Sequence, residues 1–87
     1  MDLELSKIYN LYEIFNDFNR LRMLIIIYNN SYTYDEIISN TSIKSIIVKH
    51  ELDFLIKKEI VKEVNDKYII CDRMFNKIVA QIINYIK

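Results

Sequence analysis

The chain has 87 residues, enough for one domain with a single core, and 52% hydrophobic against 28% charged residues fits a packed domain rather than a disordered tail. Twelve basic and twelve acidic residues cancel, which excludes the overall basic field that announces many nucleic-acid binders, and a single cysteine, Cys71, excludes an internal disulfide and fits a reducing compartment. Gly and Pro are both absent, so the usual breakers of helices are missing and a mostly α chain is the first expectation.

Leu5, Ile8, Leu11, Tyr12, Phe15 and Phe18 recur at steps of three and four, which predicts an amphipathic helix over 3–16. A second helix is predicted at about 19–29, with Leu21, Leu24, Ile25 and Tyr28 on one face. Ile26 and Ile27 make it apolar nearly all round, as suits a helix in the middle of a domain. Asn29, Asn30 and Ser31 close it. Tyr32 to Tyr34 reads as a short extended connection. A third, short helix follows at 35–39 with Ile37 and Ile38 inward, and Asn40, Thr41 and Ser42 interrupt the pattern. From about 44 to 58 a fourth helix places Val48, Leu52, Leu55 and Ile56 on one side. Short helix, turn and longer helix make a helix-turn-helix, whose second helix can enter the major groove of DNA.

Ile60, Val61 and Val64, then Tyr68, Ile69 and Ile70, are β-branched and aromatic runs separated by Asn65 and Asp66. Asn and Asp tolerate the left-handed backbone of a two-residue turn, so strands are expected at 60–64 and 67–71. Asp72 is a suitable N-cap for a last helix at 73–86. On it Met74, Ile78, Ile82 and Ile86 form one ridge and Phe75, Val79 and Ile83 a second. With the first helix, these ridges are a candidate homodimer surface, for which Leu5, Ile8 and Tyr12 are the first-helix residues. The alternative is that the last helix packs only on its own core.

The order helix-helix-helix-helix-hairpin-helix, mostly α with a small β-hairpin, is that of a winged helix-turn-helix domain spanning residues 1–87. The stretch Asp17-Phe-Asn-Arg20-Leu-Arg-Met-Leu24 resembles the D-P-x-R-L-x-I-L opening of the second helix in the ArsR-like family of transcriptional regulators, with Phe18 in place of Pro. Ile43 through Val61 resembles that family's L-S-x-S-x-V-S-x-H-L-x-x-L-x-x-x-G-L-V stretch, where Val48, Leu52, Leu55 and Ile60-Val61 match. The resemblance covers roughly residues 15–71, and its core positions are shared with other winged helix families. Glu51 stands at the place of the usual His, with His50 one step earlier, and Glu59 stands at the place of the turn Gly. The resemblance implies a DNA-binding transcription regulator acting as a dimer.

Metal sensing, that family's best-known activity, needs ligand clusters. One Cys and one His in the whole chain do not supply them, so no metal and no other cofactor is expected. Cys71 reads instead as a small buried hydrophobe in a strand. Enzyme activity has little support. There is no Gly-rich phosphate loop, His50 has no nucleophile at motif spacing, and the acids beside it, Glu51 and Asp53, read as ordinary surface groups.

For double-stranded DNA the candidates are Lys44, Ser45, Lys49 and His50 on the fourth helix, Thr33 and Tyr34 before the third, and Lys62, Asn65 and Lys67 on the hairpin. Residues 1–36 hold six acids against three bases and the remainder nine bases against six acids, so a polyanion is expected to meet the second half. Ile46 and Ile47 fall away from the inward face of the fourth helix. They stand either for apolar contacts with thymine methyls or, with Phe54, for the edge of a protein contact. The competing function is therefore a winged-helix interaction module that does not bind DNA. With no signal-like segment and no membrane-length apolar run, a cytoplasmic location is expected.

Overall fold

Asp17 fixes the start of the first long helix: its carboxylate accepts from the amides of Asn19 and Arg20 at 2.9 and 3.2 Å, satisfying two donors that a helix start leaves unpaired. The computed structural model describes residue 9 and residues 11–86. It consists of a helical segment at 11–15 (α1), then α2 (Phe18–Asn29), α3 (Tyr34–Thr41), α4 (Ser45–Lys57), strands β1 (Val61–Val64) and β2 (Lys67–Ile70), and α5 (Arg73–Ile86). This is a winged helix-turn-helix fold. Leu5 and Ile8 lie outside the described residues.

The turn between α3 and α4 replaces glycine with polar chemistry. Ser42 takes the left-handed conformation at φ 59° and ψ 21°, and its amide returns to the Ile38 carbonyl at 3.0 Å. Thr41 is buried beside it; its hydroxyl donates to the Ile37 carbonyl at 2.7 Å and accepts from the Ile43 amide at 3.2 Å. Arg22 of α2 donates to the Thr41 carbonyl from the other side. The angle at which α4 leaves α3 is thus set by side chains from two helices.

At its far end α4 closes in a Schellman pattern: the Glu59 amide donates to Ile56 at 2.9 Å and the Ile60 amide to Leu55 at 3.0 Å. Glu59 takes φ 62° there, so the backbone that glycine usually supplies is adopted by a glutamate. The hairpin turn works as expected. Asn65 and Asp66 have φ of 52° and 67°, and the register Val61↔Ile70 to Val64↔Lys67 leaves just these two residues between the strands.

The connection is extended at Tyr32 and Thr33 and also pairs with the wing, whereas Tyr34, expected to belong to it, is the first residue of α3. Thr33 bridges Lys67 in antiparallel sense, and the Tyr68 amide donates to the Tyr32 carbonyl at 3.0 Å. The wing is thereby fastened to the start of α3.

Ile14, Met23, Leu24, Ile37, Val48, Leu55, Val61 and Val79 have essentially no exposed surface and form the centre of the core, with Phe75 and Ile83 added from α5. Phe15 meets Phe75 with ring centroids 5.9 Å apart. Several expected faces are rotated. In α1 the buried residue is Ile14, whereas Tyr12 is exposed, and Phe18 at the start of α2 is exposed too. In α2 it is Met23, Leu24 and Ile27 that are buried, while Tyr28 is partly in solvent; a helix apolar nearly all round gives no unique face. Ile56 of α4 is exposed, unlike Val48, Leu52 and Leu55. Phe75, Val79 and Ile83 are taken up by the chain's own core, which removes them from the expected dimer surface. Cys71 is exposed just past β2 rather than buried in a strand.

Candidate nucleic-acid interface

Helix α4 has three distinct sides, and each can be placed from Val48, which points into the core. At about 100° per residue, Ile46 lies nearly opposite Val48, together with His50, Asp53 and Lys57. All four are exposed. Ile47, Glu51, Phe54 and Lys58 form the flank towards α2. Lys49 and Asp53 border the hairpin.

The α2 flank is closed by charge. Arg20 pairs through Nε with the Glu51 carboxylate, donates from a terminal nitrogen to the Glu13 carbonyl at 3.0 Å, and lies with its guanidinium carbon 4.1 Å from the Phe54 ring centre. Lys58 sits 5.6 Å from the same ring and reaches Glu13 Oε1 at 3.1 Å. Glu51 is only 6% exposed, so it is not the surface acid the sequence suggested. Its place is that of an internal counter-charge to Arg20. Phe54 is held between two cations and does not join an apolar patch with Ile46. Ile47 is half-buried against the core. Only Ile46 of the two isoleucines is open to solvent, at 75% exposure.

The start of α4 has no side-chain cap, although Ile47 and Val48 both donate to the Lys44 carbonyl at 3.0 Å. Lys44 and Ser45 are exposed there. The positive end of the helix dipole therefore faces outward beside a lysine. Tyr34 steadies this end, its hydroxyl donating to the Ser45 carbonyl at 2.8 Å.

Thr33 has a structural duty as well. It caps α3 in a reciprocal box with Glu36: the Glu36 amide donates to Thr33 Oγ1 at 3.2 Å, and the Thr33 amide donates to Glu36 Oε1 at 2.8 Å. The hydrogen bond from the Thr33 backbone, with smaller help from its hydroxyl and from Lys67, holds the exposed Glu36 carboxyl below the usual carboxylate range.

The hairpin side carries acids. Lys49 Nζ is 4.0 Å from Asp53 Oδ2, one helical turn along. Both line a small cleft of about 230 Å³ with Tyr34, Leu52 and Tyr68. Burial, and then the charges of Glu63, Asp53 and Asp66, push the Tyr68 hydroxyl above the usual phenol range. Acidic side chains thus lie near Tyr68 at the base of the wing, beside Lys49. The pairs Lys62↔Ile69 and Val64↔Lys67 share one face of the hairpin, and Glu63↔Tyr68 the other. Lys62 and Lys67 thus stand on the face away from Tyr68, and Asn65 is at the exposed tip.

The structure therefore gathers Lys44, Ser45, Ile46, Lys49 and His50 on α4 and leaves the wing lysines as a separate group. Sequence reasoning missed Arg20, Arg22 and Glu51, which position α4 from inside. The Arg20–Glu51 pair spans 31 residues of sequence, a separation at which no local spacing rule applies. Among the described residues, no group of three or more His, Cys, Asp or Glu side chains is placed to hold a metal ion, and no helix is long and apolar enough to cross a membrane.

No protein-family model matches the chain, and no curated protein is similar to it in sequence. Among solved structures the chain is similar to the crystal structure of the predicted DNA-binding transcriptional regulator from E. coli, with a TM-score of 0.86 at 16% identity, over 97% of this chain and 94% of that one. At that identity the likeness carries the fold, and the winged helix-turn-helix built from the geometry above is the fold the two share.

Proposed function

We propose that the chain is a sequence-specific, double-stranded DNA-binding transcription regulator that acts as a homodimer in the cytoplasm, without metal sensing or catalysis. The observation that carries this reading is the outward presentation of the first half of α4. Lys44, Ser45, Ile46, Lys49 and His50 are all exposed, while the α3–α4 turn and the Arg20–Glu51 pair anchor the helix from behind. An anchored helix with an open N-terminal half is what entry into a major groove requires. The similarity to a predicted DNA-binding regulator supports the same reading.

In this reading Thr33 and Tyr34 approach the DNA backbone at the start of α4, and Lys62, Asn65 and Lys67 approach it from the wing. The dimer rests on Met74, Ile78 and Ile82, half-buried on α5, with exposed Ile86 and Tyr12, and Tyr85 joins them at 90% exposure. Light scattering on a sized sample, giving twice the chain mass, supports the dimer; the single-chain mass at high concentration removes it.

The paired Lys49 and the acids around Tyr68 favour the second reading, a winged-helix module that binds protein and not DNA. Titration against mixed-sequence duplex at two salt concentrations separates the two. DNA binding weakens steeply with salt because neutralised phosphates release counterions. Absence of binding at low salt overturns the DNA reading.

A further inference from the structure

A single exposed hydrocarbon is ordinary on a protein surface, and what singles out Ile46 is its place near the start of α4. On the surface of α4 its neighbours at three, four and seven residues are Lys49, His50 and Asp53, all polar and exposed. Ile47 has turned to the core and Phe54 lies between Arg20 and Lys58, so Ile46 stands as a single hydrocarbon in a charged setting rather than as part of an apolar patch of the size that docks proteins. It is the second residue of α4, at the end of a recognition helix that reaches base edges in helix-turn-helix complexes. The thymine C5 methyl is the hydrocarbon that base pairs present in the major groove, and cytosine lacks it.

We propose, on the basis of the DNA reading above, that Ile46 is a specificity-determining residue that packs on a thymine methyl and selects T·A over C·G at one position of each half-site. The lysines and His50 around it hold the backbone and the neighbouring edges, and the methyl contact adds discrimination without charge.

The test uses the full chain and the tightest-binding short duplex recovered from a random-sequence pool, made either with thymine or with uracil at every thymine position. Burying one methyl contributes roughly a three- to fivefold change in affinity. The wild type is therefore expected to bind the uracil duplex about three- to fivefold more weakly for each such contact. Ile46→Ala is expected to lose most of that preference, and comparing the thymine-to-uracil ratio between the two proteins cancels any effect of the changed stiffness of the DNA. Ile46→Val, which keeps the branch, is expected to retain most of the thymine preference. Equal binding of both duplexes by the wild type, or an undiminished thymine preference in Ile46→Ala, overturns the proposal while leaving DNA binding intact. Failure of the wild type to bind either duplex at low salt overturns the DNA reading and this proposal with it.

Discussion

The two sides of α4 invert the usual rule for a surface helix. On the flank towards α2 a carboxylate, Glu51, is buried and matched by Arg20; on the outward stripe a branched hydrocarbon, Ile46, is left in water. The inner flank lies against α2, whose Arg20 gives a buried acid its partner, and there the cost of burying charge is offset by pairing, by a carbonyl and by an aromatic face. On the outward stripe Ile46 is, among the described residues, outside the core cluster. The contrast shows that polarity alone does not say which side of a surface helix is packed against the fold and which lies open.

The largest expected effect breaks the inner flank. Glu51→Ala leaves the partly buried Arg20 guanidinium without its counter-charge and should lower stability by about 2 kcal/mol in urea unfolding, below what breaking a fully buried pair costs. A loss below about 1 kcal/mol would mean that the pair is solvated and that the inversion has no energetic content. Next comes the end of the helix, where both sides terminate. Glu59→Gly relieves a non-glycine residue of its left-handed backbone and should raise stability by roughly 1 kcal/mol, seen as a melting temperature higher by about 4–8 °C. No gain would show that the Glu59 side chain compensates for its backbone.

The outward stripe should respond in binding, not in folding. Asp53→Asn removes the acid that faces Lys49 and should tighten binding to any duplex by about threefold to tenfold at low salt, a difference of roughly 1 kcal/mol for one nearby charge. Unchanged affinity would place the DNA away from the hairpin side of α4. The smallest effect completes the comparison: Ile46→Ser should change unfolding stability by less than about 0.5 kcal/mol, as befits a side chain that is mostly in solvent. A clear loss would show that Ile46 has an internal partner.

The sequence made the element order legible because helical and alternating periods persist through it, and the Asn65-Asp66 turn announced the hairpin. It also showed that Val48, Leu52 and Leu55 face inward. It was less informative about α1 and α2, where apolar residues surround the helix and Ile14, Met23 and Ile27 have no pattern that sets them apart from Tyr12, Leu21 and Tyr28. The burial of Glu51 could not be read locally, because its reason is an arginine two helices earlier. The pattern did hold a signal in retrospect: a charged residue between Val48 and Leu52 on the core side of a helix, with an unexplained arginine in the D-x-x-R-L stretch. Ile46 and Ile47 looked alike because both lie off the inward face, and only the packing of α4 against its neighbours separates them.

The central claim is that the outer side of α4 is where DNA lies. Amide and side-chain NMR shifts of the labelled chain, followed while a mixed-sequence duplex is added, test it most directly. DNA on this side of α4 gives changes concentrated at Lys44 to His50, with Thr33 and Tyr34 beside them and smaller ones along the hairpin, and little change at Arg20, Glu51 or Phe54. Shifts confined to α5 and Tyr12, or none at low salt, would contradict it.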